Sequence, residues 1–197
     1  YISANLLHKL ITEKHVYLNG CIVDTRSNIV LNDKITVNLD FEEDSNNIIS
    51  TSIPLDIIYE DDCFLILNKP AGIAVHPSIL HYSESLANGV KFYFEQKCIK
   101  RKIRPVNRLD LNTSGIIIFA KNQYVQECLI KQMNNNIFKK YYIAIVEGIF
   151  KEKTGSINLP IDRKENSIIE RCICKNGKTA ITDYQVIAEY NNFSIVK

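Results

Sequence analysis

Within Pro105-Val106-Asn107-Arg108-Leu109-Asp110-Leu111-Asn112-Thr113-Ser114-Gly115 a single carboxylate, Asp110, stands among small and polar residues. Arg108 lies two positions before it, and Lys100, Arg101, Lys102 and Arg104 lie just upstream. Nearby positive charge favours an ionised carboxylate, which can serve as a base or a nucleophile. It also puts Asp110 beside a surface suited to a polyanion. The same residues fit a plainer role, in which Asp110 pins a turn while Asn112 and Thr113 bond local backbone. Other chemistries find less support: there is no phosphate-cradling glycine loop or nucleotide fingerprint, and Ser114 lacks the GxSxG elbow and histidine partner of a serine nucleophile. His76, before Pro77, has no nucleophile paired with it and reads as structural or as a contact to that polyanion. Cys172-Ile173-Cys174 has a one-residue gap without the CxxC partners of a zinc site, so no metal is expected.

The elements around this stretch can be read from periodicity. Ser3 can cap a helix with Leu6, Leu7, Leu10 and Ile11 on one face, ending near Lys14. Val16 to Val23 reads as two short strands around Asn19-Gly20, and Lys34 to Leu39 as a third. Glu42-Glu43-Asp44-Ser45-Asn46-Asn47 favours neither helix nor strand and reads as a linker. Strands are expected at 56–60, 63–69, 115–120, 140–147, 168–174, 179–188 and 193–196, with helices at about 84–97 and 122–135. Strands that do not alternate regularly with helices indicate an α+β fold, with a mixed, mainly antiparallel sheet flanked by helices.

The whole chain sets bounds. Its 197 residues, 46% hydrophobic, can build one large domain or a small one plus a medium one. The net charge is only +2, but residues 63–147 carry 12 Lys and Arg against 5 acids, whereas residues 40–62 carry eight acids and no base. A basic region around the chemistry-bearing loop suits RNA. Six scattered cysteines fit a reducing, cytoplasmic setting, and no run is long enough to span a bilayer.

Asn107-Arg108-Leu109-Asp110-Leu111-Asn112-Thr113-Ser114-Gly115 resembles the HRLDxxTSG signature of RluA-type pseudouridine synthases. Ile58 to Asp62, Leu67-Asn68-Lys69-Pro70-Ala71-Gly72 and Val75-His76-Pro77 resemble that family's opening motif. Lys140-Tyr141-Tyr142-Ile143-Ala144-Ile145-Val146-Glu147-Gly148 resembles its KxYxAxVxG motif, and Gly177-Lys178-Thr179-Ala180, with Thr182 and Tyr184, the strand entry that follows. The resemblance runs from about Ile57 to the end. Residues 1–43 are similar to the alpha-L RNA-binding module of a small-subunit ribosomal protein and of tyrosyl-tRNA synthetases, joined through a linker at 44–54 to a catalytic domain at 55–197.

What the resemblance implies is a cofactor-free isomerase acting on uridine in structured RNA, foremost large-subunit ribosomal RNA. Transfer RNA, or an idle RNA-binding protein that keeps the fold, are the alternatives. Asp110 would be catalytic, either attacking the ribose anomeric carbon or removing the 2′ proton. Tyr142 would stack on the uracil; the alternative is a strand aromatic packed in the core, as for Tyr141. Since strand neighbours face opposite ways, only one of the two can face the site, and the register favours Tyr142. Arg108, Asn107, Lys69, Lys140, Lys100, Arg101 and Lys102 would face RNA, joined by His8, Lys9 and Lys14 of the first helix; Arg108 could instead form a surface ion pair, and Lys69 could hold a structural acid. Asn107 stands where the family more often has His. The family also continues into a TGRxHQIR-like strand whose basic residue pairs with the aspartate. The chain is therefore expected to be incomplete at both ends, inactive alone, and left with an unpaired sheet edge near Ile195 and Val196. A monomer is expected.

Overall fold

The computed structural model describes residues 2–79, 81–167 and 170–197. The chain divides into two compact units, residues 1–138 and 139–197.

The first unit has two cores. Helix α1 (Ala4–Thr12) starts where Ser3 accepts a hydrogen bond from the Leu6 amide at 3.2 Å. Its buried Leu6 and Leu10 pack with Val16 over a small antiparallel sheet of β1 (Val16–Leu18), β2 (Cys21–Ile22) and β3 (Ile35–Val37), in the order β2-β1-β3. The β1–β2 turn is Asn19-Gly20, both at positive φ, the conformation an Asn-Gly hairpin turn requires.

The larger core forms on the antiparallel sheet β4 (Ile57–Glu60), β5 (Phe64–Lys69) and β6 (Gly115–Ala120). Alternation along β5 and β6 sends Leu65, Leu67, Ile117 and Phe119 to one face, where Leu86, Ala87, Val90 and Phe94 of helix α2 (Leu86–Gln96) cover them. Helix α3 (Gln123–Asn134), capped by Asn122, buries no residue fully, although its Tyr124 packs against the α1 cluster.

Residues 44–54 lack regular structure, as their composition suggests, yet they are anchored. Ile48 is buried in the larger core, Ser45 Oγ accepts the Ile103 amide at 2.8 Å, and the buried Asn88 amide donates to the Ile49 carbonyl at 2.8 Å. Gly89 of α2 lies so close that a Cβ there would sit 3.0 Å from Ile53 and Leu55 atoms. Burial of one isoleucine and one serine outweighs the polar character that reads as a linker.

The second unit contains β7 (Ala144–Glu147), β8 (Thr154–Asn158), β9 (Ile161–Arg163), β10 (Arg171–Ile173), β11 (Ile181–Glu189) and β12 (Phe193–Val196). Four of them form an antiparallel sheet in the order β7-β12-β11-β8, and β9 pairs with β10. Three expectations change here. The strand placed at 140–147 starts only at Ala144, and the one placed at 168–174 is seen as β10, its positions 168 and 169 lying outside the described residues. Strand β12 is flanked on both sides, by β7 and β11, so Ile195 and Val196 are not at an edge. Strands β8 and β9 were not expected: Thr154-Gly155-Ser156-Ile157-Asn158 offers a single apolar side chain, and its strand is imposed by pairing with β11. All named strand pairs are antiparallel, with one isolated parallel bridge between Ala74 and Ser85, giving an α+β fold.

Candidate active site

Asp110 lies on the loop that leads into β6, in a turn closed by the Thr113 amide donating to the Asp110 carbonyl at 3.1 Å. Its side chain is exposed and makes no hydrogen bond or ion pair among the described residues. The turn is thus held by the backbone, and the carboxylate is open to solvent.

Lys69, at the end of β5, fixes this loop from below. It is 0% exposed, and its ammonium donates to the carbonyls of Pro70 (2.9 Å), Ile73 (2.8 Å) and Leu111 (3.0 Å). The Gly72 amide adds a bond to the Leu111 carbonyl at 2.9 Å. Burial pushes the Lys69 pKa below its ordinary value, and the Asp110 charge acts in the opposite direction. Lys69 therefore ties two loops together and supplies a buried positive charge near Asp110. The expected contact with phosphate is withdrawn, because all three ammonium protons are spent on backbone carbonyls and none reaches solvent.

Asn107 is also committed elsewhere. Residues 104–106 run along the open edge of β6, with the Val106 amide bonded to the Ile118 carbonyl and the Ala120 amide to the Arg104 carbonyl, both at 2.8 Å. The Asn107 side chain continues this pairing: its amide donates to the Ile116 carbonyl at 2.8 Å and accepts from the Ile118 amide at 2.9 Å. Both ends of the carboxamide serve the sheet, so its expected RNA contact is replaced by a structural one.

Arg108, between Asn107 and Asp110, is exposed and makes no hydrogen bond or ion pair among the described residues. Burial, and then the Arg108 charge, hold the His76 pKa below its ordinary value. His76 also lines a polar cavity of about 450 Å³, with Lys102, Arg104, Gln123, Gln126 and Glu127 among its walls.

The basic stretch before the loop is mostly neutralised within the chain. Lys100 pairs with Glu42 at 3.0 Å, Arg101 with Asp40 and the Phe41 carbonyl, and Arg104, 6% exposed, with Glu43 at 2.6 Å. Glu43 also receives Lys9 of α1 at 3.0 Å, and Lys9 lies over the Phe41 ring. Burial alone would raise the Glu43 pKa, but the hydrogen bonds from Arg104 and Lys9 outweigh it and hold the carboxyl below its usual range. Of the cations expected to face RNA, Lys100, Arg101 and Lys9 are engaged by acids of residues 40–43, while Lys102, Lys14 and His8 are exposed and free of side-chain ion pairs. The signal that could have found this was the run of eight acids facing the basic excess.

In the second unit, Tyr142 precedes β7 and is 48% exposed; Tyr141 is more exposed still, under the Lys197 ammonium. Strand alternation does not govern this pair, since the strand starts two residues later, and neither ring is a core aromatic. Lys140 is exposed and without an ion pair. No three His, Cys, Asp or Glu side chains among the described residues are grouped to hold a metal, and none of their helices is long and apolar enough to cross a membrane.

Comparison with known proteins adds a family. The profile described as RNA pseudouridylate synthase matches residues 63–197. The chain is 37% identical over 156 residues to the uncharacterized RNA pseudouridine synthase YhcT of Bacillus subtilis, covering 79% of this chain and 51% of that protein. It is 36% identical over 167 residues to the ribosomal large subunit pseudouridine synthase D of Borreliella burgdorferi, covering 80% and 51%. It is 30% identical over 198 residues to the uncharacterized RNA pseudouridine synthase YlyB of Bacillus subtilis, covering 99% and 65%. The chain thus spans about half to two thirds of the length of these relatives. Its fold is similar to that of Human RNA Pseudouridylate Synthase Domain Containing 1, at a TM-score of 0.59 and 22% identity over 75% of this chain and 59% of that one.

Proposed function

The chain belongs to the RNA pseudouridylate synthase family, of the RluA type, and on that footing we propose that the protein containing it converts uridine to pseudouridine in structured RNA. The reaction breaks the N-glycosidic bond, turns the uracil and joins its carbon 5 to the ribose, with no net redox change. The observation that carries the reading is an exposed, unpartnered Asp110 on a loop clamped by a buried lysine. A carboxylate with no internal partner, on a loop that cannot drift, is pre-organised to meet a ribose. It does so either by attacking the anomeric carbon or by removing the 2′ proton.

Arg108 supplies a free guanidinium two residues away for the phosphate of the extruded nucleotide. Tyr142 offers a half-exposed ring on which uracil can stack, a contact of roughly 1–3 kcal/mol per base in single-strand binders. Lys102 and Lys140 are further phosphate contacts. Residues 1–43 act as an RNA-binding module in which His8 and Lys14 reach RNA, while Lys9 holds the module to the acidic segment. Large-subunit ribosomal RNA is the proposed substrate, supported by the likeness to the ribosomal large subunit pseudouridine synthase D of Borreliella burgdorferi. The protein would work in the cytoplasm as a monomer. Pseudouridine mapping on cellular RNA from a strain lacking the gene tests the substrate: loss of one or a few sites in large-subunit ribosomal RNA is expected. Losses confined to transfer RNA would overturn that choice.

A further inference from the structure

The β9–β10 hairpin sorts its charges by face. Its register sets Arg163 opposite Arg171 and Ile161 opposite Ile173. On the other side of β9, Ile161 exchanges two backbone hydrogen bonds with Lys178, each 2.9 Å. Directly paired residues share a face and successive residues alternate, so Arg163, Arg171, Lys178, Ile161 and Ile173 lie together on one face. Asp162 and Cys172 take the other, with Lys164 and Glu170, which form an ion pair at 2.6 Å. The remaining acid nearby, Glu165, sits in the turn.

The cationic face is exposed, and none of Arg163, Arg171 and Lys178 makes a side-chain hydrogen bond or ion pair among the described residues. Like charges directly opposite each other weaken an antiparallel pair, and no acid on this face relieves them. The approach of Lys178 is itself built in: a Cβ at Gly177 would lie 2.7–2.9 Å from the Ile161 backbone, so glycine is what allows the turn to close against β9. A local cost that the chain does not offset internally calls for an external anion. Two planar guanidinium forks side by side, with exposed isoleucines next to them, suit the phosphates and bases of a nucleic-acid strand better than a compact ion.

We propose that this face, through Arg163, Arg171 and Lys178, binds the phosphate backbone of the substrate RNA, an inference that rests on the reading that the protein acts on RNA. The test uses the full-length protein and a fluorescein-labelled, uridine-containing stem-loop RNA titrated at several salt concentrations, with urea unfolding of each variant. Arg163→Glu and Arg171→Glu each turn the like-charge pair into an opposite-charge pair. Their urea midpoints should hold or rise while RNA affinity falls about tenfold or more, as loss of a charged hydrogen bond implies. Lys178→Ala should leave the midpoint unchanged and lower the slope of log affinity against log salt by about 0.7–0.9. Unchanged affinity and slope in all three variants would overturn the proposal, as would an affinity loss matched by a fall in the urea midpoint. Tighter arginine-dependent binding of polyglutamate than of RNA would overturn it in favour of an acidic protein partner. If the unaltered protein isomerises no uridine yet these variants lose RNA as described, the enzymatic reading fails and the binding face stands.

Discussion

At the scale of single residues, the chemistry proposed for Asp110 separates from the support that Lys69 gives its loop. The Asp110 carboxylate bonds to nothing among the described residues, so Asp110→Asn should leave stability within about 0.5 kcal/mol of the unaltered protein in urea unfolding. A larger loss would mean that the carboxylate holds the turn, the plainer role its surroundings also allow. Lys69 is the converse. Lys69→Met keeps the volume but strips three carbonyls of their donor, and unfolding should show a loss of roughly 2–4 kcal/mol. Turnover should fall with it, because the Leu111 carbonyl is no longer tied beside Asp110. A fully stable Lys69→Met would contradict the clamp. That a lone carboxylate stands before an apolar strand was legible locally, but its neighbours fit a turn-pinning role as well, and it is the family resemblance that singles Asp110 out. The role of Lys69 was not legible: a lysine beside Pro70 reads as a partner for phosphate or for a structural acid, and only the closing of two loops over it shows that backbone carbonyls take its three protons.

At the scale of elements, the periodic segments were legible because apolar spacing at two or 3.6 residues is dictated by the core each element covers. The three helices and β1 to β6 therefore follow from the chain. Strands β8 and β9 do not, because their side chains are almost all exposed and partners distant in sequence make them strands. Asn107 shows the same limit at one position. Nothing local says that its carboxamide will complete the edge of β6. Asn107→Asp keeps the acceptor for the Ile118 amide but loses the donor to the Ile116 carbonyl and sets a negative charge against it. A destabilisation of about 1–3 kcal/mol is expected, with faster hydrogen exchange at Ile118. Unaltered exchange and stability would show that the edge holds without the side chain.

At the scale of the molecule, the sequence displays a charge imbalance but not its resolution. Arg104 and Glu43 are 61 residues apart, and their pairing turns an apparent RNA surface into the joint between α1, the acidic segment and the larger core. This joint should titrate. The Glu43 carboxyl is held below its ordinary 4.5, so its contribution to stability is complete above that value and is lost as pH falls through the lower folded-state value. Glu43→Gln should lower stability at pH 7 and flatten its dependence below about pH 4.5, as read by urea midpoints across pH. A parallel acid profile in the variant would place the acid sensitivity elsewhere.

The most direct test of the central claim, that Asp110 isomerises uridine in RNA, is tritium release from carbon-5-labelled uridine. It should be run on the full-length protein and on its Asp110→Asn variant, with large-subunit ribosomal RNA as substrate. Steady release by the former, and none above background by an equally folded Asp110→Asn protein that still binds the RNA, is the predicted result; equal release by both would contradict the account.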